Sequence, residues 1–193
     1  MFADHRVVNL FPTPVWAHTL TPDDAGSVNR KALDAIQSLG AGPEASWQSE
    51  PTLHRLPEFL VLSGFVKEAA QNVLGHLKIE AETLRIDALW ASAVPPGAAP
   101  PAVPDSPGEV SLCGVYSVTA PEDGDAIAFF DTRPVLELGG GRLTEPGPYT
   151  ARTAAVSVTS GTLLVFPAWL GYALSAQPAV SGRVTLGFAV SLG

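Results

Sequence analysis

The chain has 193 residues, enough for one domain whose hydrophobic core needs no disulfide or metal as a staple. Its residues are 46% hydrophobic and only 16% charged, which argues against disorder, and this bounds the chain as a folded protein. The net charge of -8, with no cluster of Lys or Arg, argues against recognition of nucleic acid through its phosphates. Gly and Pro number 18 each, which predicts frequent turns and a fold of short strands. Cys113 is the single cysteine, so no intrachain disulfide forms; its neighbours Leu112 and Val115 mark it as a small buried hydrophobe. The opening MFADHRVVNLF lacks the apolar stretch and cleavage site of a signal peptide, and the expectation is a cytoplasmic protein.

The first third reads as strand, helix, helix. Residues 7–20 are apolar and aromatic, and Pro12 and Pro14 suit an irregular edge strand. Thr21-Pro22-Asp23-Asp24 supplies a cap, a first-turn proline and two acids that face the helix dipole. Val28, Ala32, Ala35, Ile36 and Leu39 then mark one helical face, and Gly40 is the stop. After a loop carrying Trp47, Pro57 opens a second helix with Leu62, Phe65, Val66, Ala69 and Val73 at helical spacing.

From Thr83 the period changes. Leu84, Ile86 and Ala88 alternate with polar neighbours, and Trp90 continues their face. Residues 94–108, VPPGAAPPAVPDSPG, form a Pro-rich loop that no regular element tolerates. Strands are predicted at 110–119, 126–131, 152–159, 162–167 and 182–191. No charge occurs between Arg152 and Arg183, which raises the question of a membrane span. Gly161, Pro167, Gly171 and Pro178 interrupt the stretch, whereas a spanning helix needs about 20 apolar residues in succession. Buried strands are the expectation, and no membrane partner. Gly139-Gly140-Gly141 stands in a hairpin-like excursion, not between a strand and a helix, so it is no phosphate loop.

The histidines limit the chemistry. There are four, His5, His18, His54 and His76, and none follows residue 76. A facial-triad iron site needs two imidazoles and a carboxylate, zinc needs several His or Cys, and a hydrolytic serine needs a His base. Asp105, Glu109, Glu122, Asp123, Asp125 and Asp131 sit near loop edges, where acids are common simply because they fit turns. Arg183 differs, standing alone in the strand VSGRVTLGFAV. It forks onto a carboxylate ligand if it faces a cavity; otherwise it points to solvent or pairs with a structural acid.

Four segments in order resemble the bacterial 2-oxoglutarate- and iron-dependent oxygenases of about this length. They are NLFPTPVW at 9–16, SWQSEPTLHRLPEF at 46–59, LCGVYSV at 112–118 with FFDTR at 129–133, and GTLLVFPAWL at 161–170 with Arg183-Val184-Thr185. The resemblance implies that Arg183 grips the distal carboxylate of 2-oxoglutarate, that Thr185 adds a hydroxyl, and that Tyr116 lines the same cavity. The metal motifs depart. Where the family carries His-X-His-Pro this chain reads PAVPDSPGEV, so the ligand positions fall near Asp105 and Pro107. The later histidine position holds Tyr172.

The expected fold is thus mainly β with helices, a double-stranded β-helix (jelly roll, cupin-like) in one domain spanning 1–193. Residues 1–82 would form a strand and helical layer, and 83–193 the β core. The expected function is that of a degenerate oxygenase, without iron, that binds a small carboxylate such as 2-oxoglutarate. One carboxylate and a neutral phenol make a poor ferrous site beside two imidazoles and a carboxylate. Three alternatives stay open. One is an active oxygenase with Asp105, Glu109 and Tyr172 as ligands. Another is a metal-free enzyme with Tyr172 as general acid. The third is a structural role, including a homo-oligomer.

Overall fold

The computed structural model of the chain describes residues 6, 11–42, 44–104, 109–121, 125–132, 144–145, 147, 150–174 and 182–193. The predicted strand at 7–20 is short: β1 is Trp16–Thr19, and residues 7–10 lie outside the described ones. Helix α1 spans Pro22–Ser38, and the Thr21 side chain accepts from the Asp24 N–H at 3.2 Å. Val28, Ala32 and Ile36 are its buried residues, while Leu39 is exposed. Leu39 has left the helical phase because it already caps the helix, ahead of Gly40 at φ +102°. β2 is the pair Trp47–Gln48. Pro57 opens a single 3-10 turn, Pro57–Phe59, and α2 follows at Leu60–Leu77. Leu62, Val66, Ala69 and Val73 are buried there as their spacing predicts, together with Ala70 and Leu74.

The remaining strands are β3 (Leu84–Val94), β4 (Leu112–Thr119), β5 (Asp125–Phe130), β6 (Thr153–Val158), β7 (Thr162–Pro167), β8 (Gly171–Leu174) and β9 (Arg183–Leu192). They form two antiparallel sheets, one ordered β1-β7-β4-β9-β3-β2 and a smaller one ordered β6-β5-β8. The N-terminal third therefore supplies both edge strands of the large sheet besides the helices. The uncharged stretch holds β6, β7 and β8, and no described helix is long and apolar enough to cross a membrane. Of the Pro-rich loop, residues 95–104 carry no helix or strand and 105–108 lie outside the described residues, as do Gly139 to Gly141.

The large sheet is buried on both faces, and alternation along each strand divides its side chains. Tyr116 and Val118 on β4, Leu163 and Val165 on β7, and Leu186, Phe188 and Val190 on β9 join the core with Val28, Ile36, Leu62, Val66 and Val73 of the helices. Cys113, Val115, Leu164, Phe166 and Ala189 face the other way and pack with Ile127, Phe129 and Val158 of the small sheet. Strands covered on both faces read as unbroken apolar runs, which explains LLVF in β7. In β3 the phase changes once, at a bulge between Ile86 and Ala88. Before it Ile86 faces the helices; after it Ala88 and Trp90 face the small sheet while Leu89 and Ala91 face the helices.

Two glycines keep the layers close. An added Cβ at Gly187 would overlap the Trp90 indole, which lies across it inside the barrel. At Gly114 it would overlap both the Phe188 ring and the Leu164 carbonyl oxygen, and a backbone oxygen cannot rotate aside. Gly114→Ala is expected to lower unfolding free energy by about 3 kcal/mol or more, read from a denaturant titration. A loss below about 0.5 kcal/mol would contradict the packing described at this position.

Candidate functional site

Period two fixes which residues of β9 enter the barrel. Leu186, Phe188 and Val190 face the helices, so Arg183, Thr185 and Gly187 face the small sheet. On β5 the same rule puts Asp125 with Ile127 and Phe129 on the inner face. The two charged residues each begin their strand, and they meet across the barrel. Nη1 of Arg183 donates to Oδ1 of Asp125 at 2.9 Å and to Oδ2 at 3.1 Å. Both side chains are almost fully buried, at 3% and 5% exposure. Asp125 Oδ1 also accepts from the Ala126 N–H at 2.8 Å. Of the readings the sequence left open for Arg183, the geometry has it facing inward and paired with an acid of the chain.

A row of polar side chains crosses the large sheet beside this pair. Thr185 is opposite Ser92 of β3 on one side and Ser117 of β4 on the other. Gln48 is opposite Ser92, and its Nε2 donates to Ser92 Oγ at 3.4 Å and to the Ala102 carbonyl at 3.1 Å. Directly opposed residues share a face, so all four belong to the inner surface. Ser92, Ser117 and Thr185 are buried, and Ser117 Oγ has no hydrogen-bond partner among the described residues. Leaving a buried hydroxyl unpaired costs about 1–3 kcal/mol.

Tyr116 does not belong to this group. It stands opposite Leu186 on the helix side of the sheet, and its hydroxyl donates to Asn29 Oδ1 of α1 at 2.7 Å. Burial pushes the phenol up to about 12. The expectation that Tyr116 lines a cavity with Arg183 is therefore corrected. Its strand is buried on both faces, and the flanking sequence carries no mark of which face is inward.

Tyr172 does face inward, but toward the apolar end. Its ring packs on Phe166 at 4.9 Å between centroids and on Phe129 at 6.5 Å. Burial raises the phenol far above the ordinary tyrosine value, and neighbouring Cys113 adds to the shift. Tyr172 is paired with Phe129, four residues beyond Asp125 on β5, or about 13 Å along the strand. The carried-over site is thus split, with Tyr172 in an aromatic cluster and Arg183 with Thr185 in a polar end.

Among the described residues, the other candidates add no metal centre. Asp105 and Pro107 lie outside the described residues, as do Glu122, Asp123 and His5. Glu109 and Asp131 are exposed. Among the described residues there is no group of three or more His, Cys, Asp or Glu able to hold a metal ion. His18 lies on β1, His54 in a 3-10 turn and His76 on α2 against Trp16, all away from the inner face described above. The His54 imidazole is held below its ordinary value by burial, then by Arg55, with Asp87 opposing. Of the described residues at the inner face, Tyr172 is a poor donor for iron, a neutral phenol packed between aromatic rings.

Sequence reasoning missed Gln48, Ser92 and Ser117, which become a row only once β2, β3, β9 and β4 lie side by side. Asp125 was the more findable residue, since DAIAF alternates and aligns its carboxylate with Ile127 and Phe129.

No protein-family model matches the sequence, and no curated protein matches it. Solved structures do. A Pseudomonas putida prolyl-4-hydroxylase superposes with a TM-score of 0.58 at 14% identity, covering 94% of this chain and 94% of its own. SnoK, the non-heme alpha ketoglutarate dependent carbocyclase from nogalamycin biosynthesis, gives 0.64 at 17% identity over 92% of this chain and 79% of its own. HygX from Streptomyces hygroscopicus, solved with nickel and 2-oxoglutarate bound, gives 0.60 at 11% identity over 93% and 83%. Identities this low carry the fold and leave chemistry to the residues. Two antiparallel sheets with helices on the larger one, in the arrangement of these oxygenases, make this chain a double-stranded β-helix protein.

Proposed function

We propose that this protein is catalytically degenerate: it keeps the oxygenase fold, runs no iron-dependent oxidation, and retains a polar barrel end suited to a small carboxylate. The observation that carries the reading is Tyr172. At the position where the resemblance calls for an imidazole, a phenol with its proton firmly held packs against Phe129 and Phe166. A phenol becomes a useful anionic ligand only on losing that proton, and burial opposes the loss. Carboxylate recognition is supported by the inward Arg183, by Thr185 on the same face, and by the unpartnered hydroxyl of Ser117. 2-Oxoglutarate is the carboxylate that the resemblance suggests, and in this chain it would reach Arg183 only by displacing Asp125, which already holds the guanidinium.

Tyr172 as a metal-free general acid is the weaker reading. Acid catalysis near neutral pH favours a group whose pKa lies close to the working pH, and burial moves this phenol the other way. A role as an interaction protein has one observation in its favour. Phe130 and Trp169 are 43% and 58% exposed, and Phe130 stands opposite Gly171, two residues from Trp169. Exposed aromatics that join into a contiguous patch are a feature of contact surfaces. Sedimentation over a concentration series should then show self-association that Trp169→Ser weakens; a monomer throughout would remove the homo-oligomer from consideration.

The degenerate reading is tested with metal. After equilibration with ferrous iron under anaerobic conditions and dialysis, the protein should retain far less than one iron per chain by elemental analysis. Stoichiometric retention would overturn it, and uncoupled oxidation of 2-oxoglutarate by the loaded protein would do so more strongly.

A further inference from the structure

We propose that Asp125 is the resident anion of the Arg183 site, a carboxylate of the chain itself occupying the place of a small-molecule carboxylate. The inference builds on the carboxylate-binding reading of the polar end and names its occupant. A guanidinium this deeply buried requires a partner, because an isolated charge inside a protein is strongly disfavoured. Here both Asp125 oxygens lie on the same Nη1, at 2.9 and 3.1 Å, and the Ala126 N–H supplies a further donor to one of them. The carboxylate is thus held much as a bound anion would be, by a guanidinium and a backbone amide. Thr185 and Ser117 stand beside it with hydroxyls on the same inner surface.

Two consequences follow from charge. A second carboxylate brought to Arg183 would lie beside Asp125 in a poorly hydrated interior, where like charges repel far more strongly than in water. The wild-type chain therefore does not take up 2-oxoglutarate through Arg183. Removing the Asp125 carboxylate alone takes away both contacts that Nη1 makes to it and vacates a space the size of one small carboxylate. Formate matches the deleted atoms, since alanine keeps the Cβ and formate restores the carboxylate.

The experiment compares full-length wild type, Asp125→Ala, Arg183→Met and the double variant, melted in rising sodium formate with sodium chloride as the control. Wild type should show no difference between the salts. Asp125→Ala should melt lower by on the order of 10 °C, and formate, unlike chloride, should raise its melting point along a saturating curve. The double variant, which lacks both charges of this pair, should melt above Asp125→Ala and ignore formate. A folded Asp125→Ala that responds equally to both salts overturns the proposal. Should Asp125→Ala fail to fold unaided, folding in formate alone supports the proposal, and failure in both salts while the double variant folds overturns it. Calorimetry with 2-oxoglutarate gives a second arm on the wild type: no uptake is expected, and uptake abolished by Arg183→Met overturns the assignment. Iron retention in the metal analysis would defeat the degenerate reading while leaving the occupancy of Arg183 untouched.

Discussion

Burial of the large sheet on both faces is the constraint from which the rest of this architecture follows. Helices α1 and α2 cover one side and the small sheet covers the other, so β4, β7 and β9 have no face left for water. Polar groups on these strands must then find partners inside the protein or remain unsatisfied. Tyr116 reaches Asn29 and Arg183 reaches Asp125, whereas Ser117 Oγ finds none among the described residues. The same constraint fills one end of the barrel with Phe129, Phe166 and Tyr172, where aromatic packing leaves a phenol its proton. The interior is therefore graded from an aromatic end to a polar end closed by an ion pair.

That gradation bears on the degenerate reading proposed above. An open metal site needs ligands whose lone pairs converge and whose free coordination positions stay accessible. Tyr172 contributes packing in place of such a lone pair, and Arg183 is neutralised from within. Both features move the interior toward self-sufficiency, since Arg183 pairs with Asp125 and Tyr172 packs on Phe129 and Phe166 of this chain. A buried pair such as Arg183–Asp125 adds little net stability compared with apolar residues of similar size, yet breaking it from one side is costly. It thereby ties β5 of the small sheet to β9 of the large one in a single arrangement.

The legible parts of the sequence were those encoded locally. Thr21 with its proline and acids announced α1, the spacing of Leu62, Val66, Ala69 and Val73 announced α2, and the apolar runs announced β4, β7 and β9. β8 escaped separate notice because Gly-Tyr-Ala-Leu is too short to show a period, and Leu39 was misjudged because capping interrupts the helical phase. Inwardness of Arg183 could be weighed but its partner could not, since Asp125 lies 58 residues away and only strand packing brings them together. Tyr116 shows the converse limit. A strand buried on both faces gives little sign of which face is which.

The bulge in β3 makes that strand a ribbon of two phases joined at Asp87. Leu84 and Ile86 belong to the helix side in one phase, and Trp90 and Ser92 to the barrel side in the other. A one-residue deletion here would force the two segments into a common phase, and one of them would have to turn over. Either the apolar pair Leu84 and Ile86 would leave the helices, or Trp90 would leave Gly187 and Ser92 would leave the polar row. Chain length at this point is thus fixed as tightly as any side chain, and the barrel's inner lining depends on a residue that contributes nothing to it directly.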